Sequence, residues 1–124
     1  MLLMMSTRST QQENSMTINL PAVVAAYFQA ENAHDAAAVA QCFSADGEVR
    51  DEHHVHRGHA AITEWKRAAS DKYAATVAPL ACTVTAEGCV AKGEVSGNFP
   101  GSPVLLDFAF NIDAAKITVL EITS

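Results

Sequence analysis

Strict alternation of side chains over residues 104–112 constrains the fold of this chain more than any other feature. The stretch reads VLLDFAFNI. One set of alternating positions is uniformly large and apolar, and the other is mixed: the first is Val104, Leu106, Phe108, Phe110 and Ile112, and the second is Leu105, Asp107, Ala109 and Asn111. Because successive side chains of a β-strand point to opposite faces, the pattern predicts a strand with one face on an apolar core.

The segments around this strand predict further strands joined by hairpins. Residues 73–86 and 90–97 flank a turn at Glu87-Gly88, and residues 116–122 form a last strand after the turn sequence DAA. Residues 98–103, NFPGSP, predict a tight loop. Pro79 lies inside the first of these strands, where the missing N–H predicts an interruption or an edge position.

The first half of the chain is predicted to be mainly helical. An apolar stripe at helical spacing starts the folded part and consists of Leu20, Val23, Val24, Tyr27 and Phe28. Pro21 suits the first turn of that helix. Asp35 is placed to cap a second, alanine-rich helix, which the turn sequence SADG at residues 44–47 is predicted to end.

Residues 48–53 predict a short strand, followed by a turn that ends at Gly58. A third helix is predicted over residues 60–70, with Ile62, Trp65 and Ala69 on one face. The element order is therefore two helices, a strand, a helix and then four strands. We expect an α+β domain in which a curved, mainly antiparallel sheet wraps around the helices and leaves a conical pocket.

Composition excludes several classes of function. The 124-residue chain has a net charge of −6 and only eight lysines and arginines, without a basic stripe. A nucleic acid or an anionic membrane surface requires such a stripe, so neither is an expected partner. No apolar run reaches a membrane span. Three cysteines without CxxC spacing predict reduced thiols and a cytoplasmic protein. Residues 1–16 are predicted to be a flexible tail, and residues 17–124 a single domain.

Four of the five histidines fall in RDEHHVHRGH, residues 50–59. A zinc site needs three or four ligands that converge on one point, and neither a strand nor a glycine turn brings adjacent histidines together. We therefore predict no metal site and no cofactor. His53 has the same strand parity as Asp51, so it is the one histidine expected beside that carboxylate.

Three segments carry a resemblance to a known family: CFSADGEVRDE, HRGHAAITEW and VSGNFPGSPVLLDFAFNIDAAKITVLEI. With the order of elements, they resemble the nuclear transport factor 2-like superfamily, and within it the SnoaL-like polyketide cyclases and ketosteroid isomerases. The resemblance covers residues 18–123. It implies a cone-shaped α+β fold and a homodimer formed through the outer face of the sheet. The fold alone does not define the reaction, because it occurs with many activities.

The resemblance also implies site residues. Tyr27 matches the tyrosine that donates to the substrate oxyanion in ketosteroid isomerases, and Asp51 matches their general base. Their second acid falls near Phe108, whereas the nearest carboxylate is Asp107. A shift of one residue in a strand reverses the face, so steroid isomerisation itself is not predicted.

The leading hypothesis is a cofactor-independent isomerase, cyclase or dehydratase, with Asp51 as general base, Tyr27 as oxyanion donor and His53 as orienting or relay group. The expected ligand is apolar or aromatic, and its contacts are predicted to be Trp65, Phe99, Phe108 and Phe110.

Four alternatives remain open. The protein could be a non-catalytic ligand-binding or assembly module. Asp51 could be a rim carboxylate paired with Arg50 or Arg57, and Tyr27 could be a core tyrosine with one buried partner. An epoxide hydrolase-like set of Asp, Arg and Asp is a weaker alternative, since strand parity places Arg50 opposite Asp51.

Overall fold

The computed structural model describes residues 18–124. This part of the chain contains three helices: α1 (Ala22–Asn32), α2 (Ala36–Gln41) and α3 (His59–Tyr73). It also contains six strands: β1 (Phe43–Asp51), β2 (His54–Arg57), β3 (Thr76–Val84), β4 (Gly88–Ser96), β5 (Val104–Asp113) and β6 (Lys116–Thr123). The tail predicted for residues 1–16 lies outside the described residues.

The six strands form one curved sheet in the order β2-β1-β6-β5-β4-β3. All neighbours are antiparallel except β1 and β6, which are parallel. The predicted α+β class, element order and mixed sheet are therefore confirmed. None of the helices in residues 18–124 has the length and apolarity required to span a membrane.

Strand β5 lies inside the sheet, as its alternation predicts. Phe108 and Phe110 are both buried. On either side, Ala91 of β4 pairs with Phe108, and Leu120 of β6 pairs with Phe110. Because both flanking strands present apolar side chains on the same face, this face of β5 forms the centre of the core.

Helix α1 packs on that face through a cluster of aromatic rings. Tyr27 and Phe28 contact Phe110 edge-to-face, with ring centroids 5.5 and 5.8 Å apart. Phe28 meets Phe108 in the same way at 5.3 Å. Edge-to-face contacts add to the free energy of burying these rings, so they fix α1 at a defined height above the sheet.

The ends of the short helices are fixed by side-chain hydrogen bonds. Asp35 Oδ1 accepts from the Ala38 N–H at 3.0 Å, which confirms the predicted cap of α2. Asn32, the last residue of α1, donates from Nδ2 to the Val77 carbonyl at 2.9 Å. Its Oδ1 accepts from the Val77 N–H at 2.7 Å. This pair of bonds joins α1 to β3.

Two predicted turns are wrong. Residues 44–47 do not end a helix by a turn; they belong to β1, whose pairing with β6 is irregular between Phe43 and Glu48. Gly47 makes this irregularity feasible, because a Cβ there would lie 2.9 Å from Phe43 Cβ and 3.0 Å from the Ile117 carbonyl oxygen. A strand irregularity and a turn favour the same small and polar residues, which explains the error.

The second error concerns the end of β1. Glu52 and His53 both have positive φ, 51° and 65°, and form a two-residue turn between Asp51 and His54. Residues 54–57 are therefore strand β2 rather than part of a turn. Such hairpins usually contain Asn or Gly, and neither occurs here, so the sequence carries no signal for it.

The predictions for the other edge of the sheet hold. Strand β3 is an edge strand, and its pairing with β4 is irregular between Pro79 and Ala81. Beyond it, the hairpin at residues 85–87 leads into β4. Cys42, Cys82 and Cys89 are free thiols.

The Asn32 bonds predict a measurable contribution to stability. Asn32→Ala removes both bonds to Val77, and we expect the free energy of unfolding to fall by about 1–2 kcal/mol. Urea denaturation measures the change. The matched control is Asn111→Ala on the exposed face of β5, expected to change stability by less than about 0.5 kcal/mol. Equal effects of the two substitutions would contradict this account of the α1–β3 junction.

Candidate active site

A cavity of about 340 Å³ lies between helix α3 and the inner face of the sheet. One wall is apolar and consists of Val95, Phe99, Val104, Leu106, Phe108 and Ile122. The opposite side carries the ionisable side chains Glu31, Asp51, Glu52 and Lys66. An apolar space with a few grouped polar side chains is the usual form of a small-molecule site.

A wider depression of about 630 Å³ lies between the α1–α2 connection and α3. The side chains that line it are short or charged and mostly exposed, and include His34, Asp35, Arg67 and Asp71. It lacks an apolar wall that could exclude water from a ligand. The cavity beside Asp51 is therefore the better candidate despite its smaller volume.

Asp51 is the last residue of β1, and its side chain is partly buried. Its Oδ2 accepts a hydrogen bond from Trp65 Nε1 at 3.1 Å. Burial raises the pKa of this carboxyl above its ordinary value, because the charged form loses hydration. The Trp65 hydrogen bond and the charges of Lys66 and His56 lower the pKa in part. Asp51 is therefore a stronger base than an exposed aspartate.

The arginines that could have neutralised Asp51 bind another carboxylate. Arg50 Nε and Arg57 Nη2 donate to the two oxygens of Glu48, at 2.6 and 2.5 Å. Glu48 is buried, whereas both arginines are largely exposed. The alternative that Asp51 is a rim carboxylate paired with Arg50 or Arg57 therefore has no support in this geometry.

Tyr27 is fully buried, and its hydroxyl donates to Glu31 Oε1 at 2.8 Å. The two residues are one helical turn apart on α1. Burial, reinforced by the carboxylate of Glu31, raises the pKa of Tyr27 well above its ordinary value. Tyr27 does not line the cavity. Its hydroxyl thus contacts the site through Glu31, and a direct role as oxyanion donor stays a prediction.

Glu31 and Lys66 form a buried ion pair that sequence reasoning missed. Lys66 Nζ donates to Glu31 Oε2 at 2.6 Å and lies 4.5 Å from the centre of the Trp65 ring. The side chain of Glu31 is only 8% exposed, and that of Lys66 only 6%. A signal was present for both: Glu31 continues the apolar stripe of α1, and Lys66 lies one turn after Ile62. Charged residues within a core-facing stripe indicate a buried polar partner.

The histidines do not converge on one point, as their sequence spacing implied. The histidine beside the candidate site, however, is not the predicted one. His53 lies in the β1–β2 turn, is exposed and does not line the cavity, because β1 ends at Asp51, two residues before His53. Its relay role stays a prediction without geometric support. His56 instead lies beside Trp65, with ring centroids 6.0 Å apart. His59 bonds the Phe43 carbonyl at 2.8 Å.

Histidine, cysteine and acidic side chains do not group into threes that could hold a metal ion anywhere in residues 18–124.

Three of the four predicted ligand-contacting aromatic residues line the cavity: Trp65, Phe99 and Phe108. Phe110 does not, because it lies two residues further along β5, where it packs under Tyr27. Tyr73 also lines the cavity and contacts Phe99 edge-to-face at 5.9 Å. Alternation identified the face of β5 correctly, but it does not indicate where along that face the cavity ends.

Comparisons with known proteins agree with this architecture. The SnoaL-like domain family model matches residues 24–118. A Sinorhizobium meliloti protein, named as a candidate polyketide cyclase, is 38% identical over 84% of this chain and 95% of that chain, with a TM-score of 0.81. A comparison with curated proteins gave no match.

More distant solved structures share the fold. A Catenulispora acidiphila protein with a ketosteroid isomerase-like fold, in complex with trimethylamine, is 18% identical and has a TM-score of 0.77, covering 86% of this chain and 87% of that one. The epoxide hydrolase/cyclase-like enzyme SalBIII is also 18% identical, with a TM-score of 0.67 over 82% of this chain and 86% of that one. The family match and the 38% identity together show that this chain belongs to the SnoaL-like domain family.

Proposed function

We propose that the protein is a cofactor-independent enzyme that removes a proton from a carbon next to a carbonyl group in a small apolar molecule. The general base is Asp51, and the outcome is an isomerisation, a cyclisation or a dehydration. The observation that carries the proposal is a partly buried carboxylate with a raised pKa, held by one hydrogen bond at the edge of an apolar cavity.

The hydrogen-bonding of Asp51 suits a general base. Trp65 fixes Oδ2, and among the described residues Oδ1 has no hydrogen-bond donor. One oxygen is thus oriented while the other can accept a proton. A raised pKa brings the basicity of the carboxylate closer to what abstraction of a carbon-bound proton requires.

The size and lining of the cavity support a small, largely apolar substrate. About 340 Å³ is at the lower end of the volumes typical of ligand pockets, which run from about 300 to 1,000 Å³. Phe99, Phe108 and the ring of Trp65 offer flat contacts to a ring system. The proposed substrate is therefore a compact cyclic or aromatic carbonyl compound.

Steroid isomerisation remains outside this proposal. Asp107 faces the outer side of the sheet and pairs with Lys92 at 2.8 Å, whereas Phe108 occupies the cavity side. The missing second acid favours the other candidate function, a module that binds an apolar ligand without turnover. The two candidates differ in one observable, proton exchange in the bound ligand.

A homodimer through the outer face of the sheet is part of the proposal. Leu105 is 52% exposed on that face of β5, which also carries Ala109 and its cross-strand partner Val90. An exposed apolar group on a sheet face often marks an interface. We also place the protein in the cytoplasm, a reducing compartment that suits three free thiols.

Exchange of α-protons tests the proposed base. We expect the wild-type protein to catalyse deuterium incorporation from D₂O into at least one of a panel of cyclic ketones and enones, measured by proton NMR. Asp51→Asn should slow this exchange by about 100-fold or more, because the amide cannot accept the proton. Asp107→Asn on the outer face is the matched control and should leave the rate unchanged. Binding without exchange would favour the non-catalytic module.

The pH dependence of the same exchange follows from the pKa of Asp51. The base acts only when it is deprotonated, so the rate should fall as pH decreases through that pKa. Because burial raises the pKa, the fall should begin at a higher pH than for an exposed carboxylate. Trp65→Phe removes a hydrogen bond that lowers the pKa, so it should move the profile to still higher pH. A shift to lower pH would contradict the assignment.

The molar mass of the protein, measured by light scattering during size-exclusion chromatography, tests the proposed dimer. Leu105→Glu should convert a dimer to a monomer, since it places a charge in each copy at the proposed interface. Val84→Glu is the control and should keep the dimer, because Val84 is 76% exposed on β3 and its cross-strand partner Cys89 lies on the inner face beside Phe110. A monomeric wild-type protein at micromolar concentration would contradict this part of the proposal.

A further inference from the structure

Lys66 has more hydrogen-bonding capacity than its protein partners use. A lysine ammonium carries three N–H donors and no acceptor. Within residues 18–124, Glu31 Oε2 is the one side chain or carbonyl that accepts from Lys66 Nζ. Trp65 contributes a contact with its ring face at 4.5 Å. The side chain is only 6% exposed, and it lines the cavity. Water at the surface therefore cannot readily satisfy the remaining donors.

The charges around the cavity fit a neutral substrate that becomes an anion. Glu31 neutralises Lys66, and Tyr27 donates to the other oxygen of Glu31. Asp51 and the exposed Glu52 carry the remaining negative charges on this side of the cavity. When Asp51 takes a proton it becomes neutral, and the substrate gains the negative charge. The ammonium is then the cationic group beside the new anion.

We propose that Lys66 is the second catalytic residue: its ammonium group donates to the carbonyl oxygen of the substrate and stabilises the enolate that forms when Asp51 takes the neighbouring proton. This inference rests on the proposed function. In the step, the C–H bond breaks and the proton goes to Asp51. Its electron pair forms the carbon–carbon double bond, and the carbonyl π pair moves to the oxygen that faces Lys66. No oxidant or reductant is required.

Tyr27 acts in this scheme as a positioning residue. Its hydroxyl hydrogen is committed to Glu31, and the ring is locked between Phe28 and Phe110. Glu31 in turn holds Lys66. The carboxylate of Glu31 also offsets part of the positive charge of Lys66, so it limits how strongly the ammonium attracts an anion. Removing the charge of Glu31 should therefore strengthen the attraction, and removing Lys66 should abolish it.

A binding experiment tests this without requiring turnover. The background is Asp51→Asn, which reproduces the neutral base present together with the enolate. The probes are para-nitrophenolate, an oxygen anion on a flat ring, and para-nitroanisole, which has the same ring without the charge. Trp65 is the single tryptophan of the chain and lines the cavity, so quenching of its fluorescence reports binding. The readout is the preference for the anion, the ratio of the two dissociation constants.

We expect the Asp51→Asn protein to prefer para-nitrophenolate. Adding Glu31→Gln and Lys66→Met together should reduce that preference at least about tenfold, the usual size of a hydrogen bond to a charged group. This pair of changes removes both buried charges and leaves an amide oxygen to accept from the Tyr27 hydroxyl. Adding Glu31→Gln alone should increase the preference; because this change leaves the buried charge of Lys66 unpaired and costs stability, the arm is measured on protein that circular dichroism shows to be folded. Adding Tyr27→Phe should change the preference by less than about threefold.

Several results would overturn the proposal. One is no binding, or no preference for the anion, in the Asp51→Asn protein. Another is a loss of preference on Tyr27→Phe with none on removal of Lys66, which would assign the donor role to Tyr27. A decrease on Glu31→Gln alone would also contradict it. Since none of these measurements involves proton transfer, their failure is distinct from failure of the exchange assay for Asp51.

Discussion

The ion pair between Glu31 and Lys66 is the interaction on which the candidate site depends. It joins α1 to α3 where both helices border the cavity, and both charges are nearly excluded from solvent. Burying two charges costs several kcal/mol, and the pair compensates only when its geometry is good and other hydrogen bonds complete it. Tyr27 supplies one such bond. Removing a single partner would leave an uncompensated charge, at a cost of about 3–5 kcal/mol.

The ion pair also gives two carboxylates that line the cavity, Glu31 and Asp51, different hydrogen-bond partners. Glu31 is paired with Lys66 and receives a second hydrogen bond from Tyr27. Asp51 receives one hydrogen bond from a neutral indole, and the nearby arginines are bound to Glu48. Two carboxylates in different environments commonly take different roles in catalysis. In the proposed mechanism, Asp51 is the base and Glu31 supports Lys66.

Much of the fold could be predicted from the sequence because local periodicity reports which face of an element is buried. The alternation in β5, the stripe on α1, the Asp35 cap and the edge position of Pro79 are all of this kind. The wrong predictions concern chain geometry that has no local sequence signature. The Glu52–His53 turn lacks the usual residues, and the residues around Gly47 suit a turn as well as an irregular strand.

The site was predictable only in part. The cavity lining includes four residues that the sequence singled out: Asp51, Trp65, Phe99 and Phe108. Periodicity indicates which face of a strand is buried but not where along that face the cavity ends. Phe110 was therefore predicted to contact the ligand, although it packs under Tyr27. The partner of Tyr27 could have been sought one turn along α1, whereas the contact between Glu31 and Lys66 joins residues 35 positions apart. Such a pairing exists only once the helices are packed.

The most direct test of the account is a ¹³C NMR titration of the Asp51 carboxyl carbon in the wild-type protein and in Trp65→Phe. If Asp51 is a desolvated base held by the indole, its midpoint lies above that of an ordinary aspartate and rises further when the hydrogen bond from Trp65 is removed. A midpoint at or below the ordinary aspartate value, unchanged by Trp65→Phe, would mean that Asp51 is a solvated surface carboxylate. The proposed chemistry of the cavity would then be wrong.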